Sequence, residues 1–193
     1  MGVSDTSGGG WFEDADGRNE DESAFLAVLR KAAATWSLPG LDSSATGSEE
    51  YLVPLYVYVE VPVGGHVDRE SPAALPWTLA LELSFWSGPP RGLSVEGAWG
   101  DSIRPLDGGP APDAREDLRV SGVPISASLL GQYTASWMLL QLRRPLVRED
   151  WLRDEQVIAS RWRFPDTGRE LTRRGVSWRR LRGAPADRQV ALR

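Results

Sequence analysis

Residues 77–101 read WTLALELSFWSGPPRGLSVEGAWGD, and the fold of the chain turns on them. On both sides of SGPPR, large apolar residues alternate with small or polar ones, which is the pattern of two half-buried strands joined by a tight connection. A turn centred on Pro89 sets Phe85 against Leu93, Leu83 against Val95 and Leu79 against Trp99. One face of the hairpin is then a continuous apolar surface. The same register places Glu82 opposite Glu96 on the other face.

Upstream, residues 51–63 also alternate with period two and are rich in β-branched and aromatic side chains, so a third strand is expected there. Tyr51, Val53, Leu55, Val57, Val59 and Val61 share one face, and Tyr56, Tyr58 and Glu60 lie on the other. Pro54 has no N–H for a ladder, which points to an edge or a bulge. Further upstream, Phe25, Val28, Leu29, Ala32, Ala33 and Trp36 recur at helical spacing. Asn19 and Glu22 form a capping pair at the start of that helix, and Leu38-Pro39-Gly40 stops it.

Downstream, the Pro-, Gly- and Asp-rich residues 102–119 read as a long surface loop. After it the sequence predicts a strand over 133–143, a short helix after Pro145 that includes Trp151, a strand over 156–164, a PDTGR turn and a last strand over 176–181. Residues 1–20 are acidic and Gly-rich, too poor in apolar surface to offset the entropy of ordering, and are expected to be a disordered tail. Residues 183–193 read as a polar C-terminal tail, leaving 21–182 as a single domain. The expected fold class is α+β: an N-terminal amphipathic helix packed on a mainly antiparallel sheet of about five or six strands.

With 193 residues, 41% hydrophobic, and nine tryptophans, the chain has enough apolar surface for a substantial core. The absence of cysteine excludes disulfides, thiolate metal sites and cysteine nucleophiles. With one histidine, only an all-oxygen metal site remains open, and no EF-hand spacing occurs, so neither metal nor cofactor is expected. The GxSxG, Walker A, GxGxxG and HExxH signatures are all missing. No leader-like segment and no run of about 18 apolar residues is present, so the expected location is the cytoplasm, away from membranes.

Charge is unevenly spread. Residues 1–60 hold 11 acids against 3 bases, 61–142 hold 9 against 5, and 143–193 hold 7 against 14, for a net charge of −5. Arginine outnumbers lysine 21 to one, as a G+C-rich coding bias would produce, so arginine content alone says little about function.

Two groups of residues are candidates for chemistry. The first is the carboxylate face of the hairpin. Glu82 and Glu96, set opposite each other, repel unless water screens them, a cation bridges them, or one is protonated as an acid/base catalyst requires. Tyr56, Tyr58 and Glu60 join this face if their strand lies alongside. The plain alternative is a wet outer sheet face, with Arg161 and Arg163 as cross-strand counterions if their strand belongs to the same sheet. His66, in VGGHVD, is a weaker catalytic candidate, since a lone loop histidine is usually just solvated. The second group is the basic, aromatic C-terminal stretch, in which Arg161, Arg163, Trp178 and Arg180 would bind. Such interleaving suits single-stranded nucleic acid, but a pI near 5.0 and a single lysine run against it.

Taken together, these features point to a non-catalytic protein-interaction module: an adaptor, a chaperone-like factor, or a toxin-neutralising, immunity-like protein whose acidic front covers a basic partner. The alternatives are a small-molecule pocket protein or small acid/base enzyme using Glu82 and Glu96, and a single-stranded nucleic-acid binder using the C-terminal Arg/Trp strands.

Overall fold

The computed structural model describes residues 10–49, 54–64, 78–89, 91–101 and 115–193. Within these the chain is α+β, with two antiparallel sheets and three helices. The first sheet is a meander in sequence order: β1 (Thr46–Glu49), β2 (Leu55–Pro62), β3 (Thr78–Gly88), β4 (Gly92–Asp101) and β5 (Leu118–Val120). The second runs β8-β7-β6-β9, from β6 (Val147–Arg153), β7 (Gln156–Arg163), β8 (Glu170–Gly175) and β9 (Arg188–Ala191).

Helix α1 (Glu20–Ala33) starts as its sequence dictates. The Asn19 side chain accepts from the Glu22 N–H at 3.0 Å. Glu22 does not close the reciprocal bond of a capping box; its carboxylate reaches one residue further back and accepts from the Arg18 backbone N–H at 2.8 Å and from the Arg18 guanidinium. Phe25, Leu26 and Leu29 are fully buried under the first sheet, and Phe25 stacks on Phe85 of β3 with centroids 4.2 Å apart. Each such side chain adds about 2 kcal/mol of apolar burial.

The core face of that sheet carries Val57, Val59, Leu79, Leu81, Leu83, Phe85 and Val95, all at or near zero exposure. Helix α2 (Ala127–Leu142) completes the layer beside α1 and is capped by Ser126, whose hydroxyl accepts from the Leu129 N–H. Its Gln141 accepts from Trp99 Nε1 of β4 at 3.2 Å. The second sheet joins the same core: Phe164 meets Trp99 edge-on at 5.8 Å, and Trp162 donates to the Val63 carbonyl at 3.5 Å.

Several expectations are corrected. The hairpin closes on Gly88 opposite Gly92, which takes a φ of +63°, so its centre lies one residue later than Pro89 and every partner moves by two: Phe85 faces Val95, and Leu81 faces Trp99. A shift of two keeps each side chain on its expected face. Residues 133–142 belong to the helix α2, not to a strand, and Trp151 sits in strand β6, not in a helix. The strand expected over 176–181 lies earlier, as β8; at Gly175 (φ +69°) the chain leaves the sheet, and α3 (Trp178–Leu181) is a single helical turn. The stretch read as a polar C-terminal tail carries β9. In the stretch read as a disordered tail, Phe12 and Ala15 are buried, held where Arg30 donates to the carbonyls of Phe12, Glu13 and Ala15. Of the long loop expected over 102–119, residues 118–119 begin β5 and 102–114 lie outside the described residues.

Candidate functional site

The face of the first sheet turned away from α1 and α2 is the candidate site. β2 does lie alongside β3, so Tyr56, Tyr58 and Glu60 share this face with Glu82. The corrected register separates the two hairpin carboxylates: Glu82 faces Tyr58 on one side and Ala98 on the other, whereas Glu96 faces Ser84 and Arg119. Glu82 and Glu96 are thus diagonal neighbours. Glu96 lies 3.5 Å from the Arg91 guanidinium and 3.6 Å from Arg119 Nε, so it sits among cations at a partly exposed sheet edge.

The middle of this face is buried. Glu82 is 3% exposed and Tyr56 1%, and Ser84 and Ser94 are equally covered. Small residues make the floor: Ala80, Ala98 and Gly100, where an added Cβ would come 2.8 Å from Glu82 Oε1. Burial, and then the nearby Glu82 carboxylate, push the Tyr56 phenol well above its ordinary value, so it stays protonated across the physiological range. Burial also raises Tyr58, with the charges of Glu60 and Asp14 adding to it. Among the described residues, the buried hydroxyls of Ser84 and Ser94 have no hydrogen-bond partner, and the buried Tyr56 hydroxyl has the Glu82 carboxylate beside it. Chemically, the face offers one carboxylate and three hydroxyl donors in a covered setting. Among the described residues no three acidic or histidine side chains come together to hold a metal ion. His66 lies outside the described residues.

The C-terminal candidates separate. Arg161 and Arg163 are not in the carboxylate sheet. Both grip Glu149 of the neighbouring strand β6, Arg161 through Nε at 2.9 Å and Nη2, and Arg163 at 2.7 Å. Burial alone would raise the Glu149 carboxyl, but the hydrogen bonds and charges of Arg163 and Arg161 outweigh it and hold the carboxyl below its ordinary value. Arg180 lies 5.8 Å from the buried Trp151 ring. Trp178 is 75% exposed, and Val176 and Leu181 beside it are exposed as well.

Sequence reasoning missed a further surface. α2 has no charged residue along its 16 positions, yet Leu129, Tyr133 and Leu140 are more than half exposed. The missing charge is visible in the sequence, but the second half of this segment, residues 133–143, has the composition of a strand.

The chain matches no known protein-family model, and no curated protein or solved structure matches it. Among the described residues, no helix is long and apolar enough to cross a membrane.

Proposed function

We propose that this protein is a non-catalytic protein-interaction module that docks a partner polypeptide at α3. The observation that carries this reading is Trp178, three-quarters exposed between the exposed Val176 and Leu181, in the sequence VSWRRLR. Tryptophan and arginine are the side chains that most often dominate binding energy, and a cluster of three large apolar groups at one helical turn has a hydration cost that a partner removes. The charge sets the partner's chemistry. Arg179 is held by Asp187 at 2.6 Å, whereas Arg182 is exposed and has no carboxylate partner among the described residues. A complementary surface therefore carries carboxylates around an apolar cleft that accepts the indole. Val176 and Leu181 cannot stack on bases, which disfavours nucleic acid at this turn.

The test is native mass spectrometry of complexes purified gently from the protein's own host, comparing the natural chain with Trp178→Ala and Arg182→Glu. A polypeptide bound in fixed stoichiometry to the natural chain and lost from both variants supports the reading. A partner retained by both variants removes α3 from it, and no associated polypeptide at all removes the interaction reading. Retention on single-stranded DNA at low salt, abolished by the same substitutions, would favour the nucleic-acid alternative.

The buried hydroxyls of Tyr56, Ser84 and Ser94 favour a second reading, a small polar ligand held beside Glu82. A metabolite that raises the melting temperature of the natural chain, but not of Tyr56→Phe or Ser84→Ala, supports it; a library in which every compound leaves the melting temperature unmoved counts against it.

A further inference from the structure

Helix α2 has two unlike sides. Leu130, Gly131, Thr134, Ala135 and Met138 are buried against α1 and the first sheet. The opposite side presents Leu129 (51% exposed), Gln132, Tyr133 (56%), Ser136 and Leu140 (67%), with Trp137 half-buried at its margin. A quarter of the chain is charged, and surface helices normally carry such charge on their outer side; none of the 16 residues here does. The exposed stripe follows the helical repeat over about three turns, an uncharged strip in which Leu129, Tyr133 and Leu140 are interrupted by Gln132 and Ser136.

The order of residues along the strip is self-complementary. When two copies of α2 are laid antiparallel about a two-fold axis at the level of the Thr134–Ala135 peptide, Leu129 faces Leu140 of the second copy, Tyr133 faces Ser136, and Gln132 faces Trp137. Leucine thus meets leucine, a tyrosine meets a serine, and each contact occurs twice, as an isologous interface requires. The neutrality of the strip argues for the same occupant. Each copy carries a net charge of −5, yet no charge of either sign is desolvated or opposed by another along α2. The two helix dipoles also lie antiparallel, each positive end beside the other's negative end.

We propose that α2 is a self-association surface, through which two copies of this chain pair by antiparallel α2 helices. A 16-residue helix is about 24 Å long, and pairing over that length buries on the order of 1,000 Å² in total, at the low end of specific interfaces. Area alone does not fix affinity, so self-association is followed from low to high micromolar concentration.

Sedimentation equilibrium of the full chain across that range should give a mass rising from 21.2 kDa towards twice that value. Leu140→Arg should weaken dimerisation at least tenfold. The double substitution Leu129→Glu with Leu140→Arg should restore it, because the antiparallel register sets each new glutamate against the other copy's new arginine. Both positions are exposed, so circular dichroism, and the melting temperature measured at concentrations where the natural chain is monomeric, should stay unchanged, separating lost pairing from lost folding. A natural chain that stays monomeric throughout, a dimer indifferent to Leu140→Arg, or a double variant no better than the single one would each overturn the proposal. A different polypeptide crosslinking to Leu140 in purified native complexes of a monomeric chain would assign the strip to that partner instead. Trp178→Ala should leave the self-association constant unchanged, so this test and the test of α3 can fail independently.

Discussion

Glu149 is mostly buried in a strand flanked on both sides, where an acid would be costly if its neighbours were not cations. Arg161 and Arg163 both donate to it, and they hold its carboxyl below the ordinary glutamate value against the opposing effect of burial. Glu22 behaves in the same way with Arg18. The sign of the linkage follows. A carboxyl whose folded pKa is depressed stabilises the fold fully above its unfolded value, about 4.3 for glutamate, and that stabilisation is lost as the pH falls through the depressed value. Glu149→Gln should cost about 1–3 kcal/mol at neutral pH and flatten the acid limb of the stability curve. Urea midpoints measured at neutral pH and at successively lower pH would show both effects; an unchanged acid limb would mean the pair contributes nothing beyond its geometry. These arginines were legible as candidates for binding, but their partner was not. VREDWLR looks like a solvated helix, because alternation of charge and apolar groups does not reveal that Glu149 and Asp150 are matched by arginines on adjacent strands.

At the level of elements, α1 was legible because it is amphipathic and capped, and the hairpin because its two faces differ. α2 was hidden by the property that makes it unusual. A helix apolar on both sides has no 3.6-residue period to detect, and with Tyr133, Thr134 and Trp137 inside it, a strand is the natural reading. The hairpin register slipped by two because Gly88 and Gly92, rather than the prolines, set its closing pair. Gly131 offers a test of the helix layer. A Cβ there would come 2.9 Å from the Phe25 carbonyl oxygen and 3.3 Å from Val28 Cβ, so the glycine allows α1 and α2 to approach closely. On an exposed helix, Gly→Ala stabilises by about 1 kcal/mol. Here the backbone contact cannot yield without moving α1, and Gly131→Ala should instead destabilise by about 1–3 kcal/mol. A raised midpoint in chemical denaturation would show that the helices have room to part.

For the molecule as a whole, most ion pairs of the last third join that third to itself: Arg144 to Asp166, Arg148 and Arg188 to Asp150, and Arg179 to Asp187. Arg169 with Asp117, and Arg144 and Arg169 with Glu116, reach acids from earlier in the chain, so the cationic excess of this third is only partly offset by the acidic front. Asp150 shows how strongly the two ends of the second sheet depend on each other. Its side chain has no exposed surface; Ser160 donates to it at 2.7 Å, Arg148 Nε lies 3.0 Å away and Arg188 Nη2 2.7 Å away, and the last of these comes from β9. The same strand covers the outer edge of β6, and beyond it Arg193 donates to the Leu142 carbonyl at 2.7 Å, tying the chain back to the end of α2. Composition alone made this segment a polar tail, since pairing with a strand some 40 positions away leaves no local signal. Removing residues 186–193 takes away one guanidinium from a buried carboxylate and exposes the edge of β6, whose Trp151 is buried. Loss of a partner from a buried ion pair costs about 3–5 kcal/mol, a large fraction of the roughly 5–15 kcal/mol that holds a domain of this kind. The truncated chain should therefore unfold at a much lower urea concentration or aggregate on expression. Arg188→Ala, with the chain left at full length, should reproduce only part of the loss, because the β9 backbone still covers β6. A truncated protein with an unchanged midpoint would mean that Asp150 is held by Arg148 and Ser160 alone.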